Sequence, residues 1–337
     1  MGRLVRPIYN LVLISYADWL GRRYRDCMTK GLYDQGEIMA KTSFEGPVRS
    51  KGGYKVYSVA TSTGVDADRT VHDLGIKDTR RYYLEEYFDL LPGINGDLAS
   101  TTESTNTPVS RQFEILGTNH TSALATYAAT VAGMAMTTAT ADQDRMIVAP
   151  HLDTKQGAWS GVLWGTENQV HWECSIRTSA AIDNQWIWAG LKLTNVVELA
   201  TDDNSAFFSF GTDADNAGQA FTDFTKLHFS HSIANTDYIS VLPITVAAST
   251  NYHLKIVFDS DRKLTIYVNG IQYNITSTAG STGGTAVTAV QPGTVATKSA
   301  AMTDAINLIP YIGIENCDAA AAVLNVQYEA ISRLIFE

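Results

Sequence analysis

With 337 residues, 45% apolar and only 18% charged, the chain is too apolar for a disordered segment and long enough to bury a large core. Three widely spaced cysteines, Cys27, Cys174 and Cys317, fit no metal or redox spacing and point to a reducing compartment. Net charge is −10, yet residues 1–60 hold ten Lys/Arg against five Asp/Glu, so a basic N-terminal stretch precedes an acidic body.

Residues 1–55 read as an irregular basic arm. Leu13, Tyr16, Ala17, Leu20 and Tyr24 have helical spacing, although residues 9–16 fit a strand as well. Arg3, Arg6, Arg22, Arg23 and Arg25 are the candidate partner-binding residues of this arm, suited to an acidic protein surface. The apolar run 8–14 is too short for a signal peptide core followed by cleavage, and the charge-free stretches 115–141 and 264–297 are too rich in Thr, Gly and Ser for membrane spans. No membrane partner is expected, nor any direct nucleic-acid readout.

Residues 56–110 read as a small mixed α/β connecting region. Tyr82, Tyr83, Leu84, Tyr87 and Phe88 lend 78–91 a helical character, which Pro92-Gly93 ends. The Thr/Ser cluster with Pro108 makes 98–110 a linker.

From residue 111 to 337 strands dominate. They are expected near 112–116, 128–138, 145–149, 168–177, 185–193, 206–210, 226–230 and 238–241, then at 309–314 and 323–331. Val170, Trp172, Cys174 and Ile176 alternate with His171, Glu173, Ser175 and Arg177, the pattern of a strand with one buried face. The strand with Trp186, Ile187, Trp188, Ala189 and Leu191 is apolar on both faces and belongs in mid-sheet. Residues 252–276 carry a readable register. Asn269-Gly270 favours a type I′ turn, which sets Val268 opposite Ile271, Ile266 opposite Tyr273 and Leu264 opposite Ile275. The loop 260–262 sets Phe258 opposite Leu264 and Ile256 opposite Ile266, so all the apolar residues share one face. A dozen strands with polar turns imply a mostly β chain, an antiparallel β-sandwich of jelly-roll type.

Several groups invite functional readings. Trp186 and Trp188 share a strand face; core packing is the favoured reading, and glycan stacking, for which they are the candidate residues, is the alternative. Asp202-Asp203-Asn204 and Asp213 to Asn216 offer oxygen atoms but lack EF-hand spacing, and read as turns. His228 and His231, three apart, face opposite ways on a strand, and His151 near Asp153 has no nucleophile elbow. No metal-ligating set and no cofactor motif emerges. The glycine-rich, charge-free tract 279–297 reads as a long surface loop reaching toward a neighbour.

The run Tyr252 to Phe258, the run Lys263 to Gly270 and the closing Pro310 to Asn316 with 323–331 resemble the concanavalin A-like lectin/glucanase jelly roll. The resemblance spans about two-thirds of the chain and implies a module that binds glycans, cleaves them, or serves as a structural part of a virus particle. The glucanases of that group carry a Glu-x-Asp-x-x-Glu strand motif, which this sequence lacks. Glu173 stands alone on its strand, and Glu85-Glu86 fall in the connecting region. Hydrolysis would need a second acid near Glu173. No catalytic residue is therefore assigned and no enzyme expected. The leading expectation is a bacteriophage virion protein, assembled in the host cytoplasm, that decorates or cements the capsid. Its partners would be the major capsid or other virion proteins and further copies of itself. The alternative is a glycan-binding adhesin or tail-fibre receptor-binding module, with a glycoside hydrolase ranked below both.

Overall fold

In the computed structural model the described residues are 80–335, save 89–90, 92, 98–112, 120–123, 129, 151–162, 195–200, 212–220 and 222. The arm, with Arg3, Arg6, Arg22, Arg23 and Arg25, lies outside them, as do the linker, His151, Asp153 and Asp213 to Asn216.

Two sheets form the sandwich. The first runs β14 (Ile271–Tyr273), β13 (Leu264–Val268), β12 (Asn251–Phe258), β7 (His171–Thr178), β17 (Val323–Leu334), β5 (Met134–Thr137) and β4 (Ala125–Tyr127), with β1 (Arg81–Glu86) paired to the C-terminal half of β17. The second runs β15 (Thr285–Ala286), β11 (Thr236–Thr245), β10 (Lys226–Ile233), β9 (Ser205–Gly211), β8 (Gln185–Lys192), β16 (Ile309–Asn316), β6 (Arg145–Ala149), β3 (Glu114–Gly117) and β2 (Gly93–Asp97). Pairings are antiparallel except β2 with β3 and β11 with β15. The expected antiparallel jelly-roll sandwich is the observed architecture.

The core lies between the sheets. Trp172, Cys174 and Ile176 of β7 and Leu254, Ile256 and Phe258 of β12 face Ile187, Ala189, Phe208 and Phe229 of the second sheet. Burial alternates cleanly along β7 and β12, while β8 is buried at every position, as the two sequence patterns require. The 252–276 register is also found. Ile256 pairs Ile266, Phe258 pairs Leu264, Ile266 pairs Tyr273 and Val268 pairs Ile271. Asn269 and Gly270 both have positive φ, 51° and 78°, as a type I′ turn demands. Leu264 does not pair with Ile275. The ladder stops at Tyr273 because the Leu264 N–H donates to Ser299 Oγ and the Ile275 N–H to Thr297 O.

The tract expected to reach outward instead folds onto its own chain. Ala289 bridges Tyr273 at the edge of the first sheet, and β15 pairs β11 at the edge of the second. One strap thereby covers both edges, which would otherwise present unpaired backbone groups.

The helix expected over 78–91 is a strand, β1. Leu84 points into the core while Tyr83 and Glu85 point out. The C-terminal half of β17 supplies a ladder whose backbone bonds outweigh local helical spacing. Residues 81–86 and 93–97, taken above as a connecting region, thus contribute strands to the two sheets.

Candidate functional site

The outward face of the first sheet gathers the polar alternates of its strands. β7 supplies His171, Glu173, Ser175 and Arg177. β12 sets Lys255 beside Glu173, and β17 sets Ala330 on its other side, with Glu85 of β1 beyond. Glu173 is the hub. Its Oε1 accepts the Tyr328 hydroxyl proton at 3.1 Å, and its Oε2 lies 3.4 Å from Lys255 Nζ. The Tyr87 ring, 60% exposed, packs on the Tyr328 ring at 4.8 Å between centroids. Ser175 donates to Gln327 Oε1 at 2.8 Å, and Arg177 to Asn251 Oδ1 at 3.3 Å. Arg81 closes the far end, donating to Ser332 Oγ and to Gln169 O. A shallow cleft runs between Tyr83, Glu85, His171, Glu173, Lys255 and Tyr328.

Tyr328 reaches this face because of a β-bulge. The pairing of β17 with β7 shifts between Val326 and Tyr328, so the extra Gln327 inverts the alternation. Leu324 and Val326 point into the core before it, and Tyr328 points out after it. The same inversion turns Glu329 inward opposite Cys174, fully buried. There its Oε1 accepts the Trp172 indole proton at 2.9 Å. Burial pushes the Glu329 carboxyl up to about 8, against the smaller lowering effect of that bond. Burial also raises the Cys174 thiol, with Glu329 adding to the shift. The Tyr328 phenol is raised by burial and by the neighbouring Glu173 charge.

Glu85 and Glu173 share a row across the sheet, separated only by Ala330. Two strand spacings put their backbones roughly 10 Å apart. Sequence reasoning had set Glu85 outside the sandwich, because the strand character of β1 depends on β17, some 245 residues later. Tyr328 was likewise missed, since nothing in the letters announces a bulge.

Trp186 and Trp188 do not form a stacking platform. Both are buried, Trp186 against Phe221 at 5.0 Å between ring centroids, in a second apolar cluster with Phe207, Ile309 and Tyr311. Each indole lies over a glycine directly across the ladder, Trp186 on Gly211 and Trp188 on Gly313. A sugar ring has no access to a face so covered, so core packing, the favoured reading, holds and the stacking alternative falls.

The histidines face opposite ways as expected. His228 stacks on Phe221 at 3.8 Å, and His231 on Tyr238 at 4.7 Å. Burial lowers them, His228 to about 4 and His231 to about 3. Asp202 pairs with Lys192 at 3.0 Å, both side chains buried, while Asp203 O and Asn204 Oδ1 accept the N–H groups of Asn235 and Ala234. These residues form a pinned turn. Among the described residues no group of three or more His, Cys, Asp or Glu side chains is arranged to hold a metal ion.

Solved structures with related architecture share very little sequence with the chain. A protein of unknown function from Shewanella oneidensis MR-1 is 9% identical, with a TM-score of 0.41 over 81% of this chain and 97% of that one. Peanut lectin is 11% identical, at 0.40 over 76% and 99%. A family 7 alginate lyase in complex with substrate is 15% identical, at 0.38 over 65% and 84%. No family model and no curated protein matches the chain. Likeness at this level carries no weight for activity, so function has to be read from the residues.

Proposed function

We propose that the protein binds a glycan across the outward face of its first sheet. The observation that supports this most is Glu173 with Lys255 on one oxygen and Tyr328 on the other, beside the exposed ring of Tyr87. A carboxylate and an ammonium side by side offer an acceptor and a donor to adjacent sugar hydroxyls, and a tyrosine face stacks on the apolar side of a pyranose. A cleft walled by a few convergent polar groups and aromatic rings is the usual form of a small-ligand site.

The capsid reading depends on the basic arm, residues 1–55, which lies outside the described residues. No contact described above favours it over a glycan.

The test is a panel of soluble polysaccharides run in affinity electrophoresis against wild type, Glu173→Ala and Tyr87→Ala. Wild type should be retarded by at least one polymer. Each variant should weaken binding about tenfold, a loss of about 1.4 kcal/mol. Wild type passing unretarded through the whole panel sinks the proposal, as does equal retardation of all three proteins. Release of reducing ends by wild type, abolished in Glu85→Gln, would instead show cleavage by the Glu85 and Glu173 pair.

A further inference from the structure

At one end of the sandwich two turns cross between the sheets. Residues 138–144 lead from β5 to β6, and residues 317–322 lead from β16 to β17. They meet at Asn316, the last residue of β16, which is wholly buried. Its Nδ2 lies 3.2 Å from Ala139 O, 2.7 Å from Ala141 O, 3.0 Å from Asp318 O and 3.2 Å from Ala320 O.

An amide nitrogen carries only two hydrogens, so four carbonyl oxygens exceed what it can satisfy. On its other side, Oδ1 is buried and meets no donor. The group is oversupplied with acceptors where it points and deprived of a donor where it does not. Carbonyl oxygens crowded this closely repel one another unless positive charge sits among them.

The cage is also held in place from outside. Asn316 N donates to Asp144 O at 3.1 Å, and Asn316 O accepts from Gln143 N at 3.0 Å. The Asp144 carboxylate accepts from Ala141 N at 2.8 Å and from Asn119 Nδ2 at 2.7 Å. Asp318 accepts from Ala319 N at 2.6 Å and from Asn184 Nδ2 at 3.0 Å. Two carboxylates therefore brace the turns and add negative potential without entering the cage.

We propose that this cage is a cation site and that its ion is Ca²⁺. Turning the Asn316 amide over, a change nearly neutral in shape, brings Oδ1 to the four carbonyl oxygens. Five neutral oxygen ligands from two adjustable turns, completed by water, suit a hard cation that tolerates six to eight ligands at roughly 2.3–2.6 Å. Mg²⁺ demands a stricter octahedron at about 2.0–2.1 Å and keeps its waters, which five protein oxygens do not allow. With no carboxylate among the ligands, affinity falls at the weak end of calcium sites, with Kd on the order of 10⁻⁴–10⁻³ M. The ion would tie β5–β6 to β16–β17 and so pin the two sheets together at this end. The site is separate from the glycan face, and neither proposal depends on the other.

The test is a thermal melt of the whole chain in EDTA and in CaCl₂, MgCl₂ or KCl at about 10 mM, roughly ten times the Kd of a weak site. CaCl₂ should raise the wild-type Tm, and MgCl₂ and KCl should not. Asn316→Asp cannot donate to the carbonyls, so it should melt lower than wild type in EDTA. Added CaCl₂ should rescue it, with calorimetric affinity at least tenfold tighter than wild type. A wild-type Tm indifferent to CaCl₂ overturns the proposal, and so does an Asn316→Asp protein that folds yet melts alike in both buffers, the behaviour of a plain hydrogen-bond hub. Should Asn316→Asp fold in neither buffer, wild-type melting and calorimetry decide alone.

Discussion

Single residues carry the tightest steric constraints in this molecule. A Cβ at Gly313 would lie 2.3 Å from the Trp188 indole, and one at Gly211 would lie 2.4 Å from the Trp186 indole. These glycines are required because a flat ring occupies the space of a side chain across the ladder. Gly313→Ala should therefore cost about 1–3 kcal/mol through overpacking, read as a lower urea midpoint with unchanged slope. A midpoint equal to wild type would mean that Trp188 does not pack as described. The same contacts decide between the two readings that the tryptophan pair leaves open in sequence, in favour of core packing. An alternating Trp-x-Trp looks identical in letters whether its face is open or covered.

At the scale of elements, the bulge in β17 decides two features at once. It sends Tyr328 to the outward face and Glu329 to the core. Gln327 also fixes the bulge through its side chain, donating to Val131 O at 2.6 Å and accepting from Ser175 Oγ at 2.8 Å. Deleting Gln327 should leave a regular ladder with Tyr328 still outward and Glu329 still inward, so the protein should keep a cooperative melt, destabilised by about 1–3 kcal/mol through loss of the bonds to Val131 O and Ser175 Oγ. A deletion variant that melts like wild type would show that those two bonds contribute nothing. The 252–276 meander behaves in the opposite way. Its turns are short and local, so Asn269-Gly270 and the loop at 260–262 set the register without help from distant strands.

For the whole molecule, three buried titrating groups set the pH at which folding is most favourable. His228 and His231 are held near 4 and 3, below the 6.5 of the unfolded chain, so the unfolded state binds more protons below that pH. Their contribution is present above 6.5 and is lost as pH falls. Glu329 titrates at about 8 rather than 4.5, so the folded state binds the extra proton between those values. Its contribution is present below 4.5 and is lost as pH rises toward 8. Each such proton is worth about 1.4 kcal/mol per pH unit, and two histidines outweigh one glutamate wherever the windows overlap. The urea midpoint should accordingly peak near pH 6.5 and decline toward 8. Glu329→Gln should abolish the decline on the alkaline side. A wild-type midpoint still rising at pH 8 would contradict the burial of Glu329.

The sequence alone determined the sandwich, the mid-sheet position of 185–192, the one-sided burial of 171–178 and the meander register. Each of these depends on alternation and turn chemistry within a few neighbouring residues. Only the tertiary structure decided that 81–86 is a strand, that Glu85 shares a row with Glu173, that Tyr328 joins them, and that four carbonyls surround Asn316. Those features require segments far apart in the chain to meet. The pairing energy that selects them belongs to the ladder between strands, and no local stretch of letters contains it.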